Sequence, residues 1–174
     1  MKSRFAMPVG HATTMVMIGA VCIVAGGLIA AITSPLELVH GSWLAAYLVL
    51  VCGVAQFAMG IVELGHAAGS AGEIPRSRGW TQVVTLNIGN AGVIVGTLMR
   101  DPLIVDAAIV LLLVAFIIAL LGSTGSATQS LGALAGLRHN GGATQFLTWL
   151  YRVFLVLLVI SLPVGAVLAH LRAP

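Results

Sequence analysis

The second apolar segment carries its chemistry along one stripe. At about 100° per residue on a helix, Cys52, Gln56, Met59, Glu63 and His66 fall within about 80° of one another. The first apolar segment places His11, Cys22 and Thr33 on one face by the same count. Folding the chain back on itself about Glu37 sets Cys22 level with Cys52 and His11 level with Glu63. If the two faces meet, His11, Glu63 and His66 converge near one membrane surface, with Gln56 and the thiol pair deeper.

Four kinds of chemistry fit such a cluster. Glu63 can pair with His11 or His66 and simply pin helices together, a contact that contributes about 0.6 kcal/mol on average and about 1.7 at most. A buried Glu–His pair can also relay protons or ions. Two imidazoles and a carboxylate match the donor set of a non-haem iron or zinc site, so a transition metal is a further candidate. Cys22 and Cys52 could act as a redox pair, although free cysteines at mid-membrane commonly serve as small buried hydrophobes.

The third apolar segment differs. Thr85, Gly89, Gly92 and Gly96 share a face with Gln82 beside them, and Gly92 to Gly96 is a small-xxx-small step that lets another helix approach closely. Asn87 and Asn90 flank that face, placed to bond to a neighbour or line a polar cavity. At the opposite membrane surface stand Glu37, His40, Arg100, Asp101, Asp106 and His170. Arg100 and Asp106 are expected to form an ion pair. His40 and His170 lie at similar depths on different helices, but too close to water to make good haem ligands.

These residues need helices to position them, and the composition says in which solvent. Of 174 residues, 59% are hydrophobic and 7% charged; a soluble domain carries about 25% charged residues. Mean hydropathy is +1.09. Two cysteines cannot staple a chain of this size, and an excess of apolar side chains rules out disorder. The eight basic residues are scattered, so the net charge of +3 marks no nucleic-acid surface. What remains is an all-α integral membrane protein whose first partner is the lipid bilayer.

Five segments approach the roughly 20 apolar residues that a span requires: about 13–33, 42–64, 80–99, 102–122 and 148–170. Asp101-Pro102 reads as an N-cap followed by proline at the first helical position, and Pro163 should kink the fifth span. Residues 123–147 form the one long loop, a flexible connector or a short interfacial helix. Lys2, Arg4, Arg76, Arg78, Arg138 and Arg152 fall on one side, and Arg100 and Arg172 on the other. The positive-inside rule therefore predicts a cytoplasmic N-terminus and an external C-terminus in the cell (plasma) membrane. Trp43, Trp80 and Trp149 sit at span edges, joined by Tyr47 and Tyr151. The first apolar core, about 20 residues, exceeds a signal peptide's usual 7–15, so it reads as a span.

No GxSxG, HExxH, Walker loop, GxGxxG or CxxC motif is present. An enzyme of this composition would have to work inside the bundle, on a lipid, a quinone or a proton. The sequence favours a non-catalytic, multi-pass component that packs against a second copy or a partner membrane protein through the small-residue face of the third span. The alternatives are a protein using the His/Glu cluster for metal binding or proton relay in respiratory or quinone-linked chemistry, and an oligomeric conduit for a small solute or ion lined by Gln56, Asn87 and Asn90.

Overall fold

The computed structural model describes residues 10–68, 76–122 and 141–171, and every regular element among them is helical. The elements are α1 (Gly10–Thr33), α2 (Gly41–Tyr47), a π-helical stretch (Leu48–Ala55), α3 (Gln56–Ala68), α4 (Arg76–Met99), α5 (Pro102–Gly122) and α6 (Gly141–Leu171). Helix α2, the π-helical stretch and α3 form one rod, since Leu48 and Gln56 at the junctions keep right-handed helical backbone. Among the described residues, four helices are long and apolar enough to cross a membrane: Gly10–Thr33, Gly41–Leu64, Ser77–Met99 and Pro102–Leu121. Met17, Val21, Val24 and Leu28 along α1 and Leu103, Val110 and Leu121 on α5 face outward. That surface suits lipid and no other solvent.

Helix α6 contains a shorter apolar stretch, Trp149–Val164, and runs on through Pro163. It begins at Gly141, so residues 141–147, expected in the loop, are its first two turns. The remainder of that expected loop, and with it the expected interfacial helix, lies outside the described residues.

Two helical hairpins organise the bundle, and both close in the same way. After α1, the Leu38 N–H donates to Thr33 O (3.1 Å) and the Glu37 N–H to Ser34 O (3.3 Å). After α4, the Asp101 N–H donates to Gly96 O (2.9 Å) and the Arg100 N–H to Thr97 O (3.3 Å). This is the Schellman pattern, which needs one left-handed residue, ordinarily glycine. Here Glu37 (φ 48°) and Arg100 (φ 56°) hold that conformation instead. Asp101 then starts α5: its Oδ1 accepts from the N–H groups of Leu103 (3.0 Å) and Ile104 (3.4 Å), with Pro102 at the first helical position.

Glycines let each hairpin close tightly. A Cβ on Gly19 would lie 2.7 Å from Phe57 N, one on Gly26 2.9 Å from Ala45 O, one on Gly53 2.6 Å from Ile23 Cγ1, and one on Gly60 2.9 Å from Ala12 O. Glycines seven apart on each strand of the first hairpin thus form a seam where backbone meets backbone. The π-helical stretch, where an unbroken α-helix was expected over 42–64, adjoins this seam. A side chain on Gly53 would meet Leu48 O, five residues back, at 2.9 Å as well as Ile23, so glycine is what permits the wider turn against α1.

In the second hairpin, Gly89, Gly92 and Gly96 of α4 meet Leu112, Ala108 and Val105 of α5 at Cβ distances of 2.7–2.9 Å. The small-residue face expected to receive another chain is therefore filled by the chain's own next helix. Thr85 on the same face is half-buried. Leu86, Leu112, Phe116, Met15, Met59 and Leu155 complete the apolar core.

Candidate functional site

His11 lies in the first turn of α1, where the Glu37-centred hairpin sets it against Glu63 of α3. Its Nε2 is 3.3 Å from Glu63 Oε2, and the residues are 1% and 7% exposed. Glu63 Oε2 meets no hydrogen-bond donor at good geometry, so the contact is an ion pair that acts when the imidazole is protonated. Gly79 of α4 packs directly against the ring: a Cβ there would overlap the imidazole Cγ, Cδ2 and Nε2. Hence three helices define the position of a single ring.

Charged and polar groups of α4 and α6 lie around the pair. Arg78 Nη2 donates to Ile118 O (3.1 Å) near the C-terminal end of α5, where a helix favours a cation. Arg78 and the buried Tyr151 of α6 both lie within electrostatic reach of Glu63. His66 is on α3 beyond Glu63, with its side chain outside the described set. No group of three or more His, Cys, Asp or Glu that could hold a metal occurs among the described residues.

Deeper along the rod the interior stays polar. Gln56, two turns from Glu63, is 0% exposed, and neither its Oε1 nor its Nε2 has a hydrogen-bond partner. Gln82 of α4 points Nε2 at Met59 Sδ (3.5 Å), a weak acceptor. Nearer the Glu37 end, the Tyr47 hydroxyl donates to Asn90 Oδ1 (3.0 Å), while Asn90 Nδ2 is buried without a partner. Asn87, half-buried, donates Nδ2 to Val83 O (2.8 Å) of its own helix. Comparison with family models, with curated proteins and with solved structures gives no match.

The remaining sequence candidates lie on several elements. Cys52 is buried in the π-helical stretch and Cys22 half-buried on α1; both are free thiols within one another's electrostatic reach. Arg100 is exposed at its left-handed position, and Asp106 is half-buried on α5. His40 is exposed at the start of α2 and makes no side-chain cap bond, and His170 has its side chain outside the described set.

Three contributors escaped the sequence reading. Tyr47 reads there as an interfacial aromatic, yet its ring stacks on Trp43 (centroids 5.5 Å apart) while its hydroxyl serves Asn90. Gln82 appears only as a flank of the glycine face. Gly79 gives no signal in the chain, because nothing local distinguishes a glycine that makes room for a distant ring.

Proposed function

We propose that this chain is a multi-pass protein of the plasma membrane whose working centre is the buried His11–Glu63 pair, exchanging protons at one membrane face. The observation that carries this reading is the buried imidazole–carboxylate contact at 3.3 Å, with Gly79 of α4 packed directly against the ring. Ionisable groups in a bilayer are costly, so by default they mark function. Carboxylates and imidazoles are the side chains that commonly trade protons in such sites. In this reading α6 completes a fifth span, the N-terminus is cytoplasmic, and His11 and Glu63 lie near the cytoplasmic surface.

Proteoliposomes holding only this protein test the proposal. An imposed pH gradient should dissipate faster than in empty vesicles, and Glu63→Gln should abolish the excess flux while leaving the helical spectrum intact. Protein-containing vesicles no leakier than empty ones would refute it.

A second reading keeps the chain as a structural component that packs against a second copy. What favours it is an apolar groove of about 390 Å³ between α1 and the α2 rod, lined by Gly26, Gly27, Ala30, Ala45, Ala46 and Val49 among others. A Cβ on Gly27 would meet nothing within 4 Å, so its surface is open to a neighbour. If that neighbour is another copy, Gly27→Leu should dissociate an oligomer seen by light scattering in detergent; a wild-type chain that is already monomeric there removes the reading.

A further inference from the structure

Among the described residues, Gln56 is the most anomalous side chain. It is wholly enclosed, yet both ends of its amide lack a hydrogen-bond partner. In a bilayer, bulk water cannot repair such a defect, and an unpaired amide atom there is costly. Buried polar atoms without partners are rare in folded proteins for that reason. The defect is not isolated. Glu63 Oε2, two turns along the same stripe, and Asn90 Nδ2 on the facing helix also lack hydrogen-bond partners. Together they make a series of unmatched donors and acceptors running from the His11–Glu63 pair toward Tyr47.

The chemistry of the series narrows what can satisfy it. Gln56 offers one acceptor and one donor group and no charge, so its guest must donate and accept and be neutral. The apolar groove is lined by residues of α1, α2 and the π-helical stretch and does not include Gln56, so a substrate-sized molecule has no access through it. The adjoining π-helical stretch is of a kind that recurs at functional sites. A water molecule meets each requirement, and buried waters characteristically bond to groups that the fold leaves unmatched.

We propose that Gln56 seats an internal water that extends the proton path from Glu63 into the bundle. This inference rests on the proton-exchange reading of the His11–Glu63 pair. Seven helical residues, about 10 Å, separate Glu63 from Gln56, so a protonated Glu63 gives its proton to a short file of waters of which the Gln56 water is one, and the far end of the file releases another to the next acceptor. One proton enters and one leaves, the carboxylate is regenerated, and the Gln56 amide is never protonated. Its role is to orient the water, with Nε2 donating to the water oxygen and Oε1 accepting a water hydrogen, which makes Gln56 a positioning residue.

Two measurements on the full chain in liposomes separate this proposal from the reading beneath it. The first is solid-state NMR with side-chain ¹⁵N-labelled glutamine, following magnetisation transfer from water protons to the Gln56 amide, which is assigned by its loss in Gln56→Leu. Transfer to Gln56 is expected, and a dry Gln56 amide overturns the proposal whatever the flux. The second is the pH-gradient assay on Gln56→Leu and Gln56→Asn. Gln56→Leu should slow excess flux by about tenfold or more, and Gln56→Asn, which keeps an amide, should recover part of it and show that the fold survives. Unchanged flux in Gln56→Leu overturns the path. Absence of flux in the wild type refutes the Glu63 reading, and with it the path, but leaves the hydration site to be decided by NMR.

Discussion

Substituting Gly79 by alanine should show how tightly the His11 ring is held. The added Cβ would overlap three imidazole atoms. The ring is 1% exposed and pairs with Glu63 through Nε2, one of the atoms the new Cβ would overlap, so it can yield only at the expense of that pair. Forcing a methyl into a filled site costs about 1–3 kcal/mol. Displacing the ion pair adds about 0.6–1.7, whereas alanine's better helix propensity returns about 1. The net expectation is a loss of about 0.6–3.7 kcal/mol. Gly27→Ala is the matched control, because its Cβ enters open space; there the propensity term stands alone and stability should hold or rise by up to about 1 kcal/mol. Reversible unfolding in mixed micelles, followed by far-UV circular dichroism, would read both changes. The double variant Gly79→Ala/His11→Ala sharpens the test: with the ring gone, the Gly79 substitution should cost nothing further, giving a coupling energy of about 1 kcal/mol or more. Gly79→Ala as well tolerated as Gly27→Ala, or a double variant in which the two losses add, would refute the reasoning.

Other parts of the fold give further tests. Gly92→Leu should disrupt the α4–α5 hairpin, seen as lost helical signal or a lowered unfolding midpoint, with no change of oligomeric state at matched fold; clean dissociation of a folded oligomer would contradict the intramolecular seam. Asp101→Ala should cost about 1 kcal/mol through loss of the α5 N-cap. Arg100→Gly next to it should stabilise by about 1 kcal/mol, since glycine takes the left-handed backbone without penalty; equilibrium unfolding measures both. Tyr47→Phe leaves Asn90 without a partner at either end of its amide and should cost about 1 kcal/mol in the same assay. A Tyr47→Phe variant as stable as the wild type would mean that the hydroxyl contact is replaced from elsewhere.

The sequence carries the two hairpin turns well because turn signals are local, whereas helix starts expected at 80 and 148 fall at Arg76 and Gly141. Ser34-Pro35 and Asp101-Pro102 mark two turns without reference to the rest of the chain, and the start of α5 at Pro102 and the close of α1 at Thr33 agree with them. Reflection about Glu37 works for the same reason: a turn this short fixes which residues share a level. What each face touches is not local. The glycines of α4 announce a close approach but not that α5 makes it. The glycines seven apart on α1 and its partner gain meaning only once the two helices are set in register. The wide π-helical turn depends on Ile23 pressing at Gly53, a contact between segments that hydropathy treats separately. Polarity on a stripe likewise identified Gln56 and Glu63 as unusual, while their unmatched atoms required a three-dimensional neighbourhood.

The tight turn at Glu37 has a consequence for how the protein reaches the bilayer. Because α1 and the rod from α2 to α3 are joined so closely, they can leave the insertion machinery as a pair, and the acid then travels with its base. Glu63 alone would resist partitioning into lipid, but brought in beside His11 it arrives with its countercharge already supplied. The order of synthesis and the placement of opposite charges thus agree: His11 is made first and is waiting when Glu63 emerges. The α4–α5 hairpin, with its own turn at Arg100 and its own glycine seam, can follow as a second unit, and Gly79 then closes over a ring that is already in place.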